Sequence, residues 1–418
     1  MRRRDFLRAT GATAAAGASL ALGCGDNLLA VTSAAVLEAD ATGAIVWLGG
    51  SAGADVEVTV TTLAGVAIAE RRVRLGPAGT GWFELTGLLA ATTYLVVPGG
   101  LGPLSFRTAP VSDAPAPVRL AWSADCDLDP QFDSPMLATL AGLDVDCYVS
   151  LGDFPYADNA PGAITRAEYT TRHHALRDDP RVQAVLDRTS LRAIYDDHEV
   201  RNDWDLGSWA REPDRHVAAL AAWDDFFPLR RADRTGPGVR YRRWRMGAHV
   251  EAFLLDTRRF RTDKAAADDG SKTMLGPVQR AWLVDGVRAS PARFKLIFTT
   301  VPLDFGFTDE HWPAYRRERD ALLADLSGLT GVLFLSADHH WFASHRHARG
   351  VREFQAGPLS RGLLTPPPAV AGVLVRIHEY NVGLLEVDAA GVMTVRCIGA
   401  DGGERHREVL SADDLQVG

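Results

Sequence analysis

Acidic and imidazole side chains recur in this sequence at one kind of place, directly after a short apolar run. They are Asp125-Cys126-Asp127, Asp153 with Tyr156, Asp196-Asp197-His198-Glu199 with Asn202-Asp203, Asp256-Thr257-Arg258, and Asp338-His339-His340. Any one such aspartate reads equally well as a helix cap or turn former. Five runs of six ending this way need a shared cause. Converging carboxylates repel unless cations occupy the space among them, so the set predicts a metal centre. A thiolate (Cys126), a phenolate (Tyr156), carboxylates and an imidazole suit Fe(III) or Zn(II). Carboxylates with an amide oxygen (Asn202) suit Ca(II), Mg(II) or Mn(II) beside it. Two metals need a bridge, and Asp153, at the tightest Gly-Asp turn, has two oxygens to share between ions about 4 Å apart. Which of His339 and His340 turns inward is open, as are the parts of Asp125 and Asp127. Strand alternation puts Asp338 and His340 on one face.

The elements that must position these groups are the runs themselves: VRLAWSA (118–124), CYVSLGD (147–153), LRAIYDD (191–197), VEAFLLD (250–256), FKLIFTTVP (294–302) and VLFLSAD (332–338). Helical patterns lie between them, among them 277–287 and 315–326, which predicts a layered α/β domain with its chemistry at the strands' carboxyl ends. Tail strands EFQAGPL (353–359), NVGLLEVD (381–388) and VMTVRCIG (392–399), with a turn at Ala389-Ala390-Gly391, make the sheet mixed. Ahead of this, residues 31–110 carry short strands such as DVEVTVTT (55–62), in which Val56, Val58 and Val60 alternate, and TTYLVV (92–97). That pattern predicts an amino-terminal β-sandwich, and the segment from LTGLL to FRTAP is similar to the end of a fibronectin type III domain. Residues 111–117 read as a linker and 118–418 as the α/β domain. The helical pair His173-His174 is expected to be solvated.

The chain has 418 residues, 46% hydrophobic and 23% charged, ordinary for a globular protein with a sizeable core. Lys264, Lys272 and Lys295 are the only lysines among 45 basic residues, leaving 42 arginines, so a lone arginine is weak evidence of a phosphate clamp. Arg3 and Arg4 followed by Asp5-Phe6-Leu7-Arg8 resemble a twin-arginine export signal, and Ala21-Leu22-Gly23-Cys24 resembles a lipobox. The expectation is removal of 1–23, a lipid anchor on Cys24, passage through the twin-arginine machinery, and a periplasmic or cell-surface location. Cleavage there removes Arg2, Arg3, Arg4, Arg8 and Asp5, taking the net charge from −8 to −11. Such an acidic chain is no candidate for nucleic-acid binding by bulk charge. Cys126, Cys147 and Cys397 remain, an odd and sparse set that makes no disulfide framework.

LGDFPYAD, DDHEVRNDW, LLDTRRFR, LGPVQRAWL, the stretch from Trp312 to Arg319, LSADHH and EFQAGPLS, taken in order, resemble the alkaline phosphatase D (PhoD-like) branch of the metallophosphoesterases. The resemblance runs from about residue 118 to the end. It implies Cys126 and Tyr156 as iron ligands, Asp153 as the bridge, and metal ligands at Asp197, Asn202, Asp338 and His340. It also implies Fe(III) with Ca(II), with Zn(II), Mn(II) or Mg(II) as substitutes, and a phosphate mono- or diester as substrate. His198 would protonate the leaving oxygen or bind phosphate, and Arg258 would bind phosphate. Two departures stand out, Ala337 for glycine and His339 for valine. The first leaves a second reading, a non-catalytic metal-binding surface protein on the same fold. A serine hydrolase is disfavoured, since no Gly-x-Ser-x-Gly elbow occurs.

Overall fold

The computed structural model describes residues 30–132, 135–306 and 311–418, so the expected export signal over 1–23 and the lipidated Cys24 lie outside the described residues. The apolar runs form strands of two large mixed sheets. One has nine strands in the spatial order Glu404–Leu410, Met393–Gly399, Asn381–Val387, Val118–Ser123, Cys147–Ser150, Ser190–Ala193, Val31–Leu37, Gly43–Gly50 and Thr80–Thr86. The other has seven: Arg242–Met246, Val250–Leu254, Phe294–Phe298, Val332–Ser336, Arg352–Gln355, Phe342–Arg346 and Val373–Ile377.

Period-two alternation decides the layers. Leu120, Trp122, Cys147 and Val149 face inward onto Leu254, Leu296, Phe298 and Leu335 of the seven-stranded sheet, forming the core between the sheets. Their neighbours Ala121, Tyr148 and Leu191 face outward, where the helices Met136–Gly142, Arg166–Arg177, Pro180–Leu186 and Pro213–Phe226 cover them. Helices Gly276–Ala289 and Arg316–Asp325 cover the far face of the other sheet through Leu283, Val287, Leu322 and Leu323. Helix, sheet, sheet, helix is therefore the order of layers. His173 is not solvated as expected; it is fully buried and stacks on Phe226 at 4.8 Å.

Strands Val118–Ser123, Cys147–Ser150 and Ser190–Ala193 run parallel, as do Val250–Leu254, Phe294–Phe298 and Val332–Ser336. The turns carrying the acidic groups leave the carboxyl ends of these strands.

Residues 31–107 build two facing sheets with a shared apolar filling of Val36, Val46, Val58, Val96 and Phe106. The four-stranded one is ordered Ala67–Arg74, Asp55–Thr62, Thr93–Pro98 and Leu104–Arg107. The three-stranded one does not stand apart. Val31–Leu37 pairs in parallel with Ser190–Ala193 (Val36 opposite Ser190, Leu37 opposite Leu191), which makes the front strands the continuation of the nine-stranded sheet.

Candidate metal centre

The first strand end departs from expectation. Cys126 is buried in the outer apolar layer with Met136, Leu137 and Tyr148. Its Sγ accepts a hydrogen bond from Ser360 Oγ at 3.8 Å, and burial pushes the thiol up to about 12. Asp125, one residue earlier, is the group that meets Tyr156 and His340. Tyr156 Oη donates to Asp125 Oδ1 at 3.3 Å, and His340 Nε2 lies 3.2 Å from that oxygen and 3.4 Å from Tyr156 Oη. Asp125 Oδ2 is buried and accepts no hydrogen bond among the described residues, leaving a lone pair for a cation. Asp127 is committed elsewhere, to Asn159 Nδ2 at 2.9 Å and to Arg361.

Asp153 follows Gly152, whose φ of +99° and contact with the next loop both require glycine: a Cβ would meet Asp196 N at 2.5 Å. The turn brings one donor atom each of Asp153, Asp197 and His198 within 4.8 Å of one another, and likewise Asp196, Asp197 and Asp338. Burial, with repulsion from Asp197, Glu199, Asp125 and Asp196, pushes the Asp153 carboxyl well above the usual carboxylate range. Burial and then Asp153 and Asp125 push the Tyr156 phenol up as well. Cations among these groups would reverse both effects, so the donor set fits metal ions.

Other residues of the Asp196–Asp203 loop hold it in place. Glu199 Oε1 accepts the Phe154 N–H at 2.8 Å and Oε2 the Asp196 N–H at 2.9 Å, while burial raises its carboxyl to about 8. His198 Nδ1 lies 2.7 Å from Asp158 Oδ1, and its ring lies against Tyr156 at 4.2 Å. Burial alone would lower this imidazole, but the carboxylates of Asp197 and Asp158 outweigh it and raise the ring to about 9. Asn202 is exposed, and its backbone N–H donates to Asp158 Oδ2 at 2.7 Å.

Arg258 does not stand where a phosphate clamp would. Its guanidinium is fully buried and forked on Asp196, Nε to Oδ1 at 2.7 Å and NH2 to Oδ2 at 2.9 Å, and it lies 3.6 Å from Asp197. Sequence reasoning passed over Arg361, whose guanidinium is partly exposed and sits 4.5 Å above the Tyr156 ring.

The last turn also differs in its reason. The Val332–Ser336 strand ends before Asp338, and Asp338 and His340 both have left-handed backbones, φ +73° and +55°, so alternation does not operate there. His340 turns to Asp125 and Tyr156, with Nδ1 on the Gly362 carbonyl, while His339 turns away toward His311.

A family model described as PhoD-like phosphatase matches residues 130–396. Alkaline phosphatase D of Bacillus subtilis (strain 168) is 26% identical over 231 residues, which is 48% of this chain and 40% of that protein, so the match spans well under two thirds of the relative. The solved structure of PhoD superposes with a TM-score of 0.80 at 17% identity, covering 95% of this chain and 92% of that one. Purple acid phosphatase PPD1 from yellow lupin (Lupinus luteus) seeds superposes with a TM-score of 0.68 at 11% identity, covering 91% and 75%. At such identities the two structures speak for the fold alone.

Proposed function

Because the chain belongs to the PhoD-like phosphatase family, we propose that it is a metal-dependent hydrolase of phosphate mono- or diesters that works outside the cytoplasm. The observation that carries this reading is the convergence of the buried Asp125, Asp153, Asp197, Tyr156 and His340 with the partly exposed Asp338. Asp125, Tyr156 and His340 offer hard oxygens and one imidazole, a set suited to Fe(III). Asp197 and Asp338 offer carboxylates suited to Ca(II), or to Mn(II), Mg(II) or Zn(II), and Asp153 lies between the two groups. When bound, such ions would acidify a water for in-line attack on phosphorus and neutralise charge on the phosphate.

The chain's own residues do the rest. Asp158 engages His198 Nδ1, which leaves Nε2 to protonate the leaving oxygen. Arg258 fixes Asp196 behind the centre and is a positioning residue. Arg361, tethered to Asp127 at the partly exposed edge, offers a cation to a substrate phosphate. The non-catalytic reading rested on Ala337 in place of glycine, and that position has no left-handed backbone for a methyl to strain.

Metal analysis of protein purified without chelator, beside turnover of matched aryl phosphate mono- and diesters, tests the proposal. Metal-replete protein that turns over neither ester would sink it. Asp153→Asn should lose both metal and activity. His198→Ala should keep metal while turnover falls about 100-fold. Export rests on the Arg3-Arg4 and Cys24 motifs. Cys24→Ser should move the protein from the membrane to the soluble fraction, and a wild type already soluble after export would remove the anchor.

A further inference from the structure

His339 points away from Asp125 and Tyr156 into a second cluster. Its Nε2 lies 3.2 Å from His311 Nε2 and 3.6 Å from Asp338 Oδ2, and His311 Nε2 lies 2.8 Å from that same oxygen. The three donor atoms thus form a triangle with edges of 2.8, 3.2 and 3.6 Å. A Zn(II) ion held tetrahedrally at about 2.0–2.1 Å has ligand atoms about 3.3 Å apart, so an ion capping this triangle satisfies all three with shifts of a few tenths of an ångström. The rings are held for it: His339 is 2% and His311 6% exposed, His339 stacks on Trp341 at 5.0 Å, and the two imidazoles meet edge to face at 4.5 Å. Two facing imidazole nitrogens can share only one proton between them, and a divalent cation in its place meets both lone pairs and the carboxylate.

We propose that His311, His339 and Asp338 form a third metal site, selective for a borderline divalent ion of the Zn(II) class, with its fourth position open to water or a substrate oxygen. Asp338 joins it to the main centre, because the same carboxylate group lies within 4.8 Å of donor atoms of Asp196 and Asp197. Imidazole pairs favour Zn(II) over Ca(II) or Mg(II), so the site differs in ligand preference from the all-carboxylate group beside it. It requires no turnover and stands whether or not the chain hydrolyses phosphate esters.

Chelator-stripped protein titrated with Zn(II), and separately with Co(II) as a coloured surrogate, tests the site. Wild type should bind one equivalent of Zn(II) more than His339→Val or His311→Gln, with affinity at that site at least about 100-fold weaker in either variant. Visible Co(II) bands of tetrahedral intensity should disappear in both, and circular dichroism should show that both remain folded. Asp153→Asn, which weakens the main centre, should retain the extra equivalent, so loss of the hydrolase reading leaves this one standing. Equal Zn(II) stoichiometry in wild type and both folded variants, or Co(II) bands that persist in them, would overturn the site and leave a metal-free imidazole–carboxylate hydrogen-bond network.

Discussion

Asp125 and Cys126 are adjacent in sequence and face different environments, because Asp125 has a φ of +63° and the chain turns between them. The carboxylate meets Tyr156 and His340, while the thiol packs among apolar side chains. On the proposal that Fe(III) is held there, Asp125→Asn should cut iron occupancy and Tyr156→Phe should remove the broad visible band that a phenolate gives Fe(III), both followed by elemental analysis and absorption. Cys126→Ser should leave band and metal content unchanged. A band that shifts in the serine variant, with stability intact, would return the thiolate to the centre. Residues of this kind were legible as types but not as directions. Arg258 and Arg361 show the same limit: in a chain with so many arginines, only burial tells the one forked on Asp196 from the one at the edge.

The turns that end the strands store conformational cost where the donors sit. Among the described residues, eight non-glycine positions have positive φ, and five of these are Asp125, Asp153, Asp203, Asp338 and His340, so the strain is concentrated at the centre. Gly152→Ala should lose about 2 kcal/mol or more in a denaturant melt and shed metal, since the new Cβ collides with the backbone of Asp196. A variant as stable and as metal-replete as wild type would mean the loop yields. Apolar runs made the central strands readable, and what followed each run named most of the side chains that the fold brings together. Strands Arg242–Met246, Phe342–Arg346 and Glu404–Leu410 escaped because arginine, histidine and glutamate interrupt their apolar pattern. Their charges are paired inside the fold, Arg352 with Glu408 and Arg242 with Glu38. His311 escaped for another reason: it precedes Trp312 in a loop with no periodic signal, and only the tertiary fold brings it to Asp338.

At the scale of the whole molecule, Glu38 ties the front strands to both large sheets. Its buried carboxylate accepts Arg192 NH1 at 2.5 Å and Arg242 Nε at 2.8 Å, with a further contact to Arg242 NH2. Removing one partner of a buried ionic group leaves the others uncompensated, so Glu38→Ala should cost about 3–5 kcal/mol in a urea melt. A loss under about 1 kcal/mol would show that water reaches the two guanidiniums. The parallel pairing of Val31–Leu37 with Ser190–Ala193 has one more consequence. Without the front strands, Ser190–Ala193 would become an open sheet margin, its hydrogen-bonding groups available to any other chain. A protein lacking residues 30–107 should accordingly emerge from expression as insoluble or self-associated material that sedimentation detects. That outcome would make the front strands a guard against polymerisation, a role that no distance within the metal centre would disclose.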